Sequence, residues 1–206
     1  MIFLVTPLSR PENLEKIYNS IFDAIPINEQ HNYKWVIVVD RAVAHKMNDI
    51  QRIKNKSSRI EIFQSDIRNA LVGHAHRNYF IMKYKQYFGE NPNDWVYFID
   101  DDTVFEKEFH NNVFKAIEEN PNKAAIVFHQ KNKDNTPRLV ANLDNIKVCH
   151  IDMGQYVLNL SKIGTLRFVE TDYCADGIFI ENHFAIHGKE SFLLVDGFCS
   201  TYNALR

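Results

Sequence analysis

Trp95-Val96-Tyr97-Phe98-Ile99-Asp100-Asp101-Asp102-Thr103-Val104-Phe105 decides how the rest of the chain is read. Five apolar residues in succession form the pattern of a strand buried on both faces, as in a parallel sheet flanked by helices. The run stops at three adjacent carboxylates, and in open α/β sheets ligands bind in the crevice outside the carboxyl ends of the strands. Three neighbouring like charges repel one another, so the cluster calls for a cationic companion. Along an extended chain side chains alternate, which places Asp100 and Asp102 on one side and Asp101 on the other. Two carboxylates on one side are hard oxygen donors suited to Mg2+ or Mn2+. The competing reading is a solvated acidic loop.

Outward from this stretch, two further apolar runs read as buried strands, 2–5 and 35–39. They end at Thr6-Pro7-Leu8-Ser9-Arg10-Pro11 and at Asp40-Arg41, and residues 59–63 alternate like a third strand. Leu14, Ile17, Tyr18, Ile21 and Phe22 recur at helical spacing, which predicts an amphipathic helix over 11–24 with Pro11 in its first turn. Further helices are expected over 42–55, 74–88 and 106–119, with a polar linker over 26–33 and a loop over 66–73. Residues 124–128 read as a fifth strand. Alternation through four units predicts a mostly parallel sheet covered on both faces.

After residue 130 the pattern changes. Short strands are expected over 138–141 and 147–151, in a hairpin antiparallel to the main sheet. Residues 154–160 read as irregular or partly extended, 174–186 as helical, and 192–195 as a last strand before a short tail. The economical account is one domain over 1–206, an α/β fold in three layers (α/β/α). Its sheet is mostly parallel, with an antiparallel addition in the second half.

Composition narrows the function. With 206 residues, 45% of them apolar and 24% charged, the chain suits one soluble globular domain. A net charge of -2 lacks the basic footprint of a nucleic-acid binder. Three widely spaced cysteines point to a reducing compartment without a disulfide framework. The start lacks the features of a signal peptide and no apolar run reaches membrane-spanning length. The expected location is the cytoplasm, with peripheral membrane attachment left open. No glycine-rich turn follows the first strand, and there is no P-loop, HExxH or nucleophile elbow.

The apolar strand running into Asp100-Asp101-Asp102, the turn at 6–11, and Gly73-His74-Ala75-His76-Arg77-Asn78 together resemble a known pattern. Residues 1–128 resemble the nucleotide-sugar-binding half of glycosyltransferases with the GT-A fold, a Rossmann-related architecture. In that family an Asp-x-Asp motif holds a divalent metal against the donor diphosphate. Asp100 and Asp102 match that motif, and Arg77-Asn78 resembles its Ala-Arg-Asn motif with His76 in place of the alanine. The resemblance implies Mn2+ or Mg2+ held directly by Asp102. Asp100 would coordinate, bind ribose or act through water, and Asp101 would orient a neighbour or touch the sugar. Thr6 and Arg10 would contact the nucleotide, with a purely structural turn as the alternative. Asp40 would bind uracil or ribose, or else cap a helix. Arg77 would neutralise a phosphate beside Asn78, or stand as an exposed helix arginine.

Residues 129–206 then form the acceptor-side half. Asp152-Met153-Gly154-Gln155-Tyr156 resembles a segment facing sugar or acceptor, Gln155 being the candidate contact, with an ordinary turn as the alternative. Glu170-Thr171-Asp172-Tyr173-Cys174-Ala175-Asp176 opens the late helix with three carboxylates. A single displacement needs a carboxylate to deprotonate the acceptor hydroxyl. Asp176 and Asp172 are the candidates and Glu170 the third, against the alternative of helix caps. His187 is a candidate third metal ligand, with Lys189 pairing with diphosphate; an ordinary histidine at a helix end is the alternative. His74, His76, His129 and His150 read as surface or packed residues.

The implied activity is metal-dependent transfer of a hexosyl unit from a nucleotide sugar, a UDP-sugar first, to a hydroxyl of a glycan or lipid-linked acceptor. A sugar-1-phosphate nucleotidyltransferase competes, but it wants a glycine-rich basic loop after the first strand. A non-catalytic carbohydrate-binding module with the same fold is the other alternative. The short second half leaves room for a second copy, a homo-oligomer, to complete the acceptor site.

Overall fold

A computed structural model describes residues 1–26, 33–68 and 73–206. Residues 27–32 of the expected linker and 69–72 of the expected loop lie outside them. The first half alternates as expected: β1 (Ile2–Leu8), α1 (Leu14–Ala24), β2 (Tyr33–Val39), α2 (Met47–Lys54), β3 (Ile60–Gln64), α3 (His74–Phe88) and β4 (Trp95–Phe98). The second half adds β5 (Val104–Phe105), α4 (Lys115–Glu119), β6 (Ala125–Asn132), β7 (Pro137–Leu139), β8 (Tyr156–Asn159), α5 (Leu160–Ile163), α6 (Ala175–His187) and β9 (Phe192–Tyr202).

Among the described residues nine strands form one sheet, ordered β3-β2-β1-β4-β8-β6-β9-β5, with β7 attached to β6. β1 runs parallel to β2 and β4, β2 to β3, and β6 to β9. β8 lies antiparallel between β4 and β6, while β5 and β7 are antiparallel additions. The apolar runs are explained by the layering. Leu4, Trp35, Tyr97 and Phe128 face one core with residues of α1, α2 and α4. Phe3, Val36, Phe98 and Val127 face the other with residues of α3 and α6. Both cores must be filled, so strand positions of both parities are apolar. This is a mixed α/β, GT-A-like architecture. Among the described residues no helix is long and apolar enough to cross a membrane.

The second half departs from expectation in instructive places. Residues 147–151 are not a strand, because Val148 N–H donates to Glu181 Oε2 of α6 at 2.9 Å and Cys149 takes a left-handed φ of 69°. Residues 156–159, expected to be irregular or partly extended, become β8 by pairing with both β4 and β6. The last strand runs on from 195 to Tyr202, its pairing with β6 interrupted by two register shifts. That extension carries the chain end to the mouth of the cleft described below.

Candidate active site

The carboxyl ends of β1, β2 and β4 open into a cleft of about 230 Å³, with Asp40, Gly73, His76, Asp100, Asp101, Asp102 and Arg206 in its lining. The turn after β1 supplies Ser9 and Arg10. Asp101 fastens that turn: it accepts from Ser9 N–H at 2.6 Å, Ser9 Oγ at 2.8 Å and Arg10 N–H at 2.7 Å. Arg10 also pairs with Asp101 Oδ1 at 3.3 Å and with Asp102. Asp102, 1% exposed, takes a second cation from Arg206 Nε at 2.5 Å, and its carbonyl accepts from Leu205 N–H at 3.1 Å. Gly73 is required beside this turn, since its φ is 82° and a Cβ there would stand 2.7 Å from Pro7 Cβ.

The alternation expected for the three aspartates does not hold. Thr103 N–H donates to the Asp100 carbonyl at 3.1 Å, so the chain turns instead of extending. Asp101 and Asp102 therefore both meet Arg10, while Asp100 turns to the buried Arg77. Arg77 donates to His74 Nδ1 at 2.7 Å, and His74 stacks on Phe168. Burial pushes the Asp100 carboxyl up to about 6 against the pull of Arg77, with Asp152, Asp102 and Asp101 adding to the rise. Its side chain keeps 36% exposure, directed into the cleft. Burial, then Arg77, lowers His74 to about 4, and burial lowers His76 despite the nearby Asp40.

Asp100 and Arg206 also line a second chamber of about 210 Å³, with Arg138, Asp152, Tyr173, Asp176 and Tyr202. Arg138 pairs with Asp152 Oδ2 at 2.6 Å and lies 3.3 Å above the Tyr202 ring. Asp176, at the start of α6, accepts from Met153 N–H at 3.2 Å and Gly177 N–H at 2.8 Å. Burial and then the charge of Asp152 raise its pKa, opposed by Arg77 and those two main-chain donors.

Arg10, Asp40, Arg77, Asp100, Asp101, Asp102 and Asp176 thus come together around the two chambers. Asp40 also makes the cap expected as its alternative role, accepting from Ala42 N–H at 2.7 Å. Other candidates are not brought there. Thr6 is fully buried and accepts from Trp35 Nε1 at 3.0 Å. Asn78 clasps Phe168 and Glu170, which removes both Asn78 and Glu170 from the cleft. Gln155 spends its amide on the Asp152, Phe128 and Leu139 backbone. Asp172 accepts from Cys174 N–H at 2.8 Å as a turn residue. His187 lies at the far end of α6, about 16 Å along the axis from Asp176, with Nε2 2.8 Å from the Lys162 carbonyl. Lys189 pairs with Asp144 at 2.5 Å. Arg138, Tyr173, Tyr202 and Arg206 line the chamber without being sequence candidates; Tyr173 stands in the acidic segment that opens α6, and the Asp152 segment points towards Arg138.

Among the described residues no three His, Cys, Asp or Glu side chains converge as a metal site. Asp100 and Asp102 are nonetheless hard oxygen donors on one turn, and Arg206, 56% exposed, is a cation already drawn to Asp102. Each aspartate is paired with arginine, Asp100 with Arg77 and Asp102 with Arg10 and Arg206.

No protein-family model matches the chain, and no curated protein matches it. Solved structures do. S. aureus TarS 1-349 aligns with a TM-score of 0.71 at 13% identity, over 97% of this chain and 59% of that one. The same fragment in complex with UDP gives 0.68 at 14% identity, over 97% and 59%. Mannosyltransferase PcManGT from Pyrobaculum calidifontis, in complex with GDP-Man and Mn2+, gives 0.62 at 10% identity, over 95% and 56%. Such identities establish the fold alone, and the chain spans little more than half the length of these proteins.

Proposed function

We propose that this chain transfers a hexosyl unit from a nucleoside-diphosphate sugar, a UDP-sugar first, to a hydroxyl of a glycan or lipid-linked acceptor. One observation carries the reading. Two chambers at the carboxyl ends of parallel strands share Asp100 and Arg206, with Asp101 and Asp102 walling one and Asp152 and Asp176 the other. The likeness to structures bound to UDP and to GDP-Man supports a nucleotide in the first chamber.

Asp102 with Asp100 would hold Mn2+ or Mg2+, which when bound supplies positive charge beside the donor diphosphate. Arg10, fixed by Asp101 and Asp102, adds charge where the leaving phosphate becomes more negative. In the second chamber Asp176 takes the proton of the acceptor hydroxyl. The acceptor oxygen bonds to the anomeric carbon while the bond to the diphosphate breaks, its electron pair leaving on the phosphate oxygen. The N–H groups of Met153 and Gly177 aim the carboxylate, and its raised pKa strengthens it as a base. Asp176 must be ionised, so transfer falls as the pH drops through its pKa.

The pairing of each aspartate of the turn with an arginine favours a second reading, a non-catalytic carbohydrate-binding module. A panel of UDP- and GDP-sugars, with Mn2+ and with EDTA, on wild type and Asp102→Ala separates the two. Metal-dependent turnover lost in the variant is the expected result. Binding without turnover selects the module, and absence of binding to every donor removes the transferase.

A further inference from the structure

The second chamber carries two thiols that sugar transfer does not use. Cys149 is exposed and Cys174 half-buried, and both line the chamber with Asp176. They lie on segments distant in sequence that are pressed together. A Cβ on Gly177 would stand 3.0 Å from Val148 Cα and 3.4 Å from Cys149 N, so glycine lets residues 148–149 lie on the first turn of α6. The Val148–Glu181 hydrogen bond of 2.9 Å ties the same contact.

We propose that Cys149 and Cys174 are a redox-modification site, oxidised by a small-molecule disulfide of the glutathione class to a bridge that staples residues 147–151 to the start of α6. The Cys149 thiolate attacks one sulfur of the oxidant, whose S–S bond breaks with departure of one thiolate. The Cys174 thiolate then attacks the Cys149 sulfur of the mixed disulfide and expels the second thiolate. The protein loses two electrons and two protons, and the oxidant becomes two thiols. Exposure makes Cys149 the first nucleophile. Burial and its partner hold the Cys174 thiol above the ordinary range, which suits the resolving role. In reducing compartments such bridges occur chiefly as transient sensors. Cys199 is an internal control: it is 0% exposed in β9, and burial pushes its thiol up to about 12.

The test treats the folded protein with glutathione disulfide, alkylates free thiols, and maps peptides by mass spectrometry. Expected are an intact mass lower by two hydrogens, the Cys149 and Cys174 peptides joined, alkylation at Cys199 alone after unfolding, and reversal by dithiothreitol. Cys174→Ser should trap one glutathione on Cys149. Wild-type protein that keeps both thiols alkylatable, retains separate glutathione adducts, or bridges through Cys199 overturns the proposal. The mapping requires no sugar transfer, so its failure is distinct from failure of the transferase reading.

Discussion

Asp101 in the first chamber and Asp176 in the second are aspartates of the same chemistry held in opposite ways. Asp101 accepts three hydrogen bonds from the turn at Ser9 and Arg10 and faces the Arg10 guanidinium besides. Asp176 accepts from two main-chain N–H groups, has Asp152 as an anionic neighbour, and has its pKa raised chiefly by burial. A carboxylate whose charge is fully met is a fastener. One whose charge is under-compensated is poised to take a proton.

The largest expected effect tests that division. Asp176→Asn keeps the shape and should cut transfer by about 10²–10⁴-fold, while the one main-chain N–H it leaves without an acceptor should cost no more than about 1 kcal/mol in urea denaturation. A loss as large as that expected next for Asp101→Ala would make Asp176 a fastener too. Next, Asp101→Ala strands three donors and part of the Arg10 charge, and should cost about 3 kcal/mol in chemical denaturation. A loss below about 0.5 kcal/mol, the level of an ordinary surface substitution, would break the comparison.

A smaller effect appears in the pH dependence of stability. Burial lowers His183, on the buried face of α6, to about 4. The unfolded chain binds that proton at higher pH, so the contribution is present above the ordinary 6.5 and lost as pH falls towards 4. His183→Gln should therefore flatten the acid limb by about 1.4 kcal/mol per pH unit. Asp100, raised to about 6, works in the other sense. Its contribution is present below the ordinary 3.8 and lost as pH rises through 6, so Asp100→Asn should steepen the acid limb. The change should be smaller than for His183, because the side chain is 36% open to solvent. Denaturation midpoints of both variants across pH 4 to 7 check the two signs. Smallest of all, Glu170→Gln, outside the cleft, should leave transfer and stability within about 0.5 kcal/mol of wild type.

The first chamber was far more legible than the second. Its residues sit where apolar runs stop, at Arg10, Asp40 and Asp100, and a strand end is a local signal. Asp176 was legible for a related reason, as an acid opening a helix. Arg138, Tyr202 and Arg206 carry no local mark. Their position depends on where β7 docks and how far β9 runs, which are set by pairing with β6. Thr6 and Gln155 misled because a polar residue beside a turn is as readily spent on an internal partner, here Trp35 or the backbone, as on a ligand.

The place of β8 has a consequence for how the chain is made. β4 and β6 are synthesised well before the strand that joins them, so each emerges with a facing edge unpaired. The first-half sheet β3-β2-β1-β4 can assemble while the rest is still on the ribosome, since synthesis proceeds at about 5–20 residues per second. The gap closes only when residues 156–159 arrive. Until then the nascent protein has a nearly formed first chamber and no second one, and two open edges for chaperones to shield.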